Sequence, residues 1–185
     1  MKTIFSRCRK YRYTLWRSWG ALPLGFLEDP HPSYYPGNQN SYVQFIGLNP
    51  STADETKDDP TVRRCIAYAK AWGFGGLCMT NAFAWRDTDP QMMKAAFRPI
   101  GELVVGGAYC QMNDRLLLEV SKHAGLVIAA WGKHGTHLDR DRQIVSLIPN
   151  LHCLGVNGDG TPKHPLYLPK TAQPIKYSGR DKLNG

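Results

Sequence analysis

Four short apolar runs recur along the chain: Tyr42-Val43-Gln44-Phe45-Ile46, Leu77-Cys78-Met79-Thr80-Asn81-Ala82, Leu126-Val127-Ile128-Ala129-Ala130-Trp131 and Leu151-His152-Cys153-Leu154-Gly155. Helical patterns separate them. Asp59 caps a helix with Pro60 at its first position, and Val62, Cys65, Ile66 and Ala69 form its apolar stripe before Gly73 and Gly75-Gly76 end it. Asn113 caps a second helix through about Lys122, and residues 137–148 form a third. Buried strands alternating with crossover helices predict an α/β fold, a three-layer sandwich with a mainly parallel central sheet. Arg9 to Trp19 alternates basic and aromatic residues, which predicts a half-buried strand beside Tyr42–Leu48. Asp29 to Asn38 is rich in turn formers and reads as an irregular loop, and residues 84–109 as a short helix with loops.

With 185 residues and 42% hydrophobic content, the chain suits one domain over residues 1–172, followed by a polar, disordered tail over 173–185. Five cysteines, odd in number and never paired as C-x-x-C, predict reduced thiols and a cytoplasmic setting. Nowhere do about 18 apolar residues run together, so no membrane partner is expected. The net charge of +8 is concentrated at the ends. Residues 1–20 hold Lys2, Arg7, Arg9, Lys10, Arg12 and Arg17 without an acid, interleaved with Tyr11, Tyr13, Trp16 and Trp19. That pattern fits a phosphate-tracking surface with stacking groups and makes nucleic acid, as DNA, the expected partner; solvated charge beside an edge strand produces it too.

In an open sheet, polar residues at the carboxyl ends of parallel strands gather along one edge, where such sheets bind ligands. Here these are the turn Gly47-Leu48-Asn49-Pro50-Ser51, Asn81, Trp131-Gly132 and the late loop Lys163-His164-Pro165-Leu166-Tyr167-Leu168-Pro169. Competing chemistries are weaker. Asp54, Glu55, Asp58 and Asp59 suggest a Mg²⁺ site, yet helix capping and loop pairing with Arg63 or Arg64 explain them. His134, His137, Asp139, Asp141, His152 and His164 match no zinc spacing, and Gly155 to Gly160 reads as a turn.

In chain order, Gly47-Leu48-Asn49-Pro50, Asn81, Trp131-Gly132 and His164-Pro165-Leu166-Tyr167-Leu168 resemble the landmarks of the uracil-DNA glycosylase superfamily. Asn49-Pro50-Ser51-Thr52-Ala53-Asp54, with Asp58 to Arg64 and His164 to Tyr167, resembles more closely an uncharacterised domain family of bacteria and phages. The superfamily resemblance implies a cofactor-free hydrolase of pyrimidine N-glycosidic bonds, with Asn49 placing water and His164 stabilising the departing base. It further implies that Asn81 reads the base edge and that Leu168 enters the duplex. Gly47, Leu48, Pro50, Ser51, Phe83 and Trp131 complete the implied base pocket, with Phe74 and Trp85 as further stacking candidates. Leu166 replaces the usual phosphate-touching Ser, which shifts phosphate contact to Lys163, Lys170, Arg63 or Arg64; Arg86 and Arg142 are separate phosphate candidates that read equally as ordinary surface residues. Ser51 replaces the Tyr that blocks C5 substituents, so the expected base is tolerant of C5 modification. The four-cysteine cluster arrangement of some branches is missing. A non-catalytic module for modified nucleic acid and a hydrolase of free nucleotides are the alternatives.

Overall fold

The computed structural model describes residues 3–19, 41–101, 103–105, 108–110 and 112–183; the expected loop over 29–38 lies outside them. The seven-stranded sheet contains β1 (Ile4–Phe5), β2 (Arg12–Ser18), β3 (Tyr42–Gly47), β4 (Gly76–Asn81), β7 (Leu126–Ala129), β8 (His152–Cys153) and β9 (Ile175–Lys176). A separate hairpin pairs β5 (Leu103–Val105) with β6 (Ala108–Cys110). The helices are α1 (Pro60–Ala71), α2 (Pro90–Ala95), α3 (Met112–His123) and α4 (Arg140–Leu147).

The strand order is β1-β2-β4-β3-β7-β8-β9. The centre, β4-β3-β7-β8, is parallel, as the apolar runs require. The sheet as a whole is mixed, which corrects the expected mainly parallel sheet: β1, β2 and β9 all join antiparallel. The N-terminal strand also pairs with β4, not with Tyr42–Leu48, because both sides of β3 are already filled by β4 and β7. It is buried nearly throughout instead of on one face.

Alternation along β3 divides two cores. Val43 and Phe45 join Val62, Cys65, Tyr68 and Ala69 of α1 on one face. Ile46 joins Leu117 of α3 and Ile144 of α4 on the other. Asp59 caps α1 by accepting from Val62 N at 2.8 Å, with Pro60 at the first turn. Asn113 is not a cap. It is buried inside α3 and donates to the Asn81 and Ala82 carbonyls at 3.0 and 3.2 Å. Arg140, fully buried at the start of α4, donates to the same Ala82 carbonyl at 2.8 Å and pairs with Asp114. Two buried side chains thus satisfy backbone acceptors where β4 ends, and so fix Asn81.

The polar segment after residue 172 also departs from expectation. Its β9 pairs with β8, Tyr177 is buried against Trp131, and Arg180 pairs with Asp141 at 2.7 Å. Arg142 is held by Asp181 and Asp139, and so is spent within the fold. Cys65, Cys78 and Cys153 are buried, and burial pushes each thiol upward. Among the described residues no helix is long and apolar enough to cross a membrane.

Candidate functional site

A cleft of about 610 Å³ opens at the carboxyl edge of the parallel strands. Gly47, Leu48, Asn49 and Ser51 reach it from the end of β3, Asn81 from β4, and Trp131 and Gly132 from the end of β7. His164, Leu166 and Tyr167 enter from the late loop, which α1 holds in place: the Tyr68 hydroxyl donates to the Pro169 carbonyl at 2.7 Å. Asn49 and His164, 115 positions apart in sequence, therefore share one cavity.

The Asn49 amide is oriented by the backbone. Its Nδ2 donates to the Asp87 carbonyl at 2.8 Å and the Pro50 carbonyl at 3.3 Å, which leaves Oδ1 as an acceptor without a protein donor among the described residues. Asn81 is 2% exposed, and its Nδ2 is buried without a partner among the described residues. Gly47 stands opposite Asn81 in the β3–β4 register, and a Cβ there would lie 3.0 Å from Asn81 Oδ1. Glycine at 47 thus leaves room for the Asn81 amide. The Trp131 indole Nε1 is likewise buried and has no partner among the described residues, and Gly135 lies so close to the ring that a Cβ would fall 2.0 Å from it.

His164 Nδ1 accepts from Leu166 N at 3.4 Å, which assigns the ring proton of the neutral form to Nε2. Burial lowers its pKa, and the negative charge of Asp59 partly opposes that shift. The result is a neutral imidazole with one N–H to donate. Asp59 and Asp87 both line the cleft and supply carboxylates. Arg12, at the start of β2, supplies a buried guanidinium. Desolvation pulls its pKa down to about 10, again with Asp59 opposing.

Other expected site residues lie elsewhere. Pro50 is buried beneath the turn and receives Asp87 N at its carbonyl. Phe83 is core, fully buried and 5.7 Å from the His137 ring, so it cannot stack on a ligand. Phe74 is core as well. Leu168 packs against the α1-side core, while its neighbour Tyr167 stands 82% exposed at the cleft mouth, 5.6 Å from the His164 ring. The Tyr68 hydroxyl of α1 lies 3.3 Å from the Leu168 carbonyl, which holds this end of the loop against the core. Lys163 and Lys170 are exposed nearby in sequence, though neither lines the cleft. Arg63 donates to the Asp58 carbonyl, and Arg64 is half-buried on α1. Arg86 lines a neighbouring groove with Arg9, Lys10 and Trp85, which meets the cleft at Ser51, Asp87 and Thr88.

The acidic group before α1 is spent structurally. Asp54 accepts from Thr56 N and Lys57 N, Glu55 pairs with Arg9, and the Asp58 carboxylate pairs with Arg17, while the expected bond from Arg63 reaches the Asp58 carbonyl instead. Among the described residues no three His, Cys, Asp or Glu side chains converge as a metal site. Sequence reasoning missed Arg12, Asp59 and Asp87 as cleft residues. Asp59 carried a visible signal, its cap, but nothing in the sequence tied Arg12 to the late loop. No curated protein and no solved structure matches the chain. Residues 12–166 do match a family model described as "Protein of unknown function (DUF1643)", and since this spans most of the chain, the protein belongs to that family.

Proposed function

We propose that the chain hydrolyses the N-glycosidic bond of a pyrimidine in nucleic acid, with a uracil-DNA glycosylase-like three-layer arrangement around the cleft. The observation that carries this reading is the Asn81 Nδ2, buried and without a partner among the described residues, in the same cavity as Asn49 and neutral His164. An unsatisfied buried amide costs about 1–3 kcal/mol, a cost that a ligand with complementary polar groups offsets. A pyrimidine edge offers such groups.

Water held by Asn49 Oδ1 attacks the anomeric carbon as its bond to the base nitrogen breaks, and the electron pair leaves with the base. The Nε2–H of His164 donates to a carbonyl oxygen of the departing base, where charge develops. An amide cannot take the proton that water releases. Asp59 and Asp87 are the carboxylates of the cleft able to receive it. Ser51 at the cleft wall leaves space for a C5 substituent.

The test is abasic-site formation on oligonucleotides carrying uracil, mismatched thymine or C5-substituted pyrimidines. Wild-type protein yields abasic sites on one of these, and Asn49→Ala and His164→Ala lose them. One observation favours a second reading, a non-catalytic module for modified bases: the turn residue is an amide whose NH₂ is already committed to backbone carbonyls. Tight base-dependent binding without cleavage on the whole panel selects it.

A further inference from the structure

We propose that Arg12 forms an anion subsite inside the cleft that takes a phosphate of the bound nucleotide. The inference rests on the cleft being a nucleotide site, and not on whether a bond is cleaved there.

Of the two arginines buried among the described residues, Arg140 holds a carboxylate and Arg12 does not. Arg9 and Arg142, both on the surface, hold carboxylates, and so do the partly buried Arg17 and Arg180 and the fully buried Arg140. Arg12, 2% exposed, holds none among the described residues. Among the described residues the one hydrogen bond of its guanidinium runs from Nη1 to the Ala53 carbonyl at 2.7 Å, and its Nε is buried without a partner. A guanidinium carries five N–H donors, so most of this one is unspent. Burying such a cation without a counter-charge is costly unless something later pairs with it.

The position is built, not accidental. Because β2 runs antiparallel to β4, its first residue lies at the sheet edge where the parallel strands end. Arg12 N donates to the Ala84 carbonyl at 2.9 Å, which fixes the backbone just past Asn81. The surrounding charges are Asp59, whose Oδ1 is engaged in capping α1, and the cations Arg17 and Arg86. Arg17 is neutralised by Asp58, and neither Asp59 nor Asp87, the carboxylates of the cleft, is hydrogen-bonded to Arg12, so its unspent donors stand open to an anionic ligand. A planar fork of donors fits the oxygens of a phosphate, and the Asn81 amide in the same cleft fits a base. Phosphate and base in one cavity define a nucleotide.

The phosphate has two sources, the terminal phosphate of a free nucleotide or an internal phosphodiester of a strand, and affinity measurements on the whole chain at constant ionic strength separate them. The probes are thymidine, thymidine 5′-monophosphate, an unphosphorylated thymine-containing oligonucleotide, and inorganic phosphate against chloride. In wild-type protein the monophosphate binds about tenfold or more tighter than thymidine, and inorganic phosphate raises the melting temperature. Arg12→Met abolishes both differences, while Arg12→Lys keeps part of them. An oligonucleotide affinity that falls with Arg12→Met assigns the internal phosphodiester; a loss confined to the monophosphate assigns the terminal one. Equal binding of thymidine and its monophosphate by wild-type protein, together with no effect of inorganic phosphate, overturns the proposal even if Arg12→Met does not fold. A preference for the monophosphate that persists in Arg12→Met overturns it too. Abasic-site formation is read separately, so loss of either result leaves the other standing.

Discussion

Asn81 and His164 make opposite demands on the fold. Among the described residues the Asn81 Nδ2 has no partner to lose, so Asn81→Ala is expected to change stability by less than about 1 kcal/mol while base binding and cleavage disappear. Denaturant midpoints beside binding curves check this, and a large loss of stability would give Asn81 a structural role instead. His164 behaves differently because it titrates. Burial holds its pKa below the ordinary 6.5, so the unfolded chain takes up a proton that the folded chain excludes. Its contribution to stability is full above pH 6.5 and is lost as pH falls through the lower folded value. Activity declines over the same acid range, since a second ring proton removes the acceptor for Leu166 N. In His164→Gln the acid slope in melting temperature is flattened; an unchanged slope assigns it to other groups.

Elements with local signals were readable. The Asp59-Pro60 start of α1 and the parallel strands from residues 42, 77 and 126 stand where capping chemistry and apolar runs put them. Strand pairing was not readable, because β2 carries no local mark of its neighbour. Its place beside β4 follows from β3 being filled on both sides. The same holds for β9, whose two residues are exposed and whose contribution comes from Tyr177 just beyond. A polar composition concealed that one buried ring. Tyr177 packs edge-on to Trp131 at 6.1 Å and donates to the Gly160 carbonyl at 3.2 Å. Tyr177→Ala is therefore expected to cost about 3 kcal/mol, read as a lowered denaturant midpoint with an unchanged slope. A cost near zero would return the segment to the status of a tail. The late loop was half legible: its prolines and His164 marked the site, but the inward turn of Leu168 and the exposure of Tyr167 depend on contacts with α1.

At the scale of the molecule, the excess of eight positive charges is the property a polymeric substrate would sense. Affinity for a thymine-containing oligonucleotide is expected to fall as salt rises, with a log–log slope that counts the phosphates neutralised. A flat dependence would confine the cleft to small ligands. The cleft itself draws on residues from Arg12 to Tyr167, so nearly the whole chain must be in place before it exists. This has a consequence for synthesis. While a nascent chain still lacks the loop around His164, it has the sheet centre but no finished cavity, and β9 pairs with β8 later still. The site is completed late in synthesis, and a ligand for the cleft would report only chains that have acquired the loop around His164.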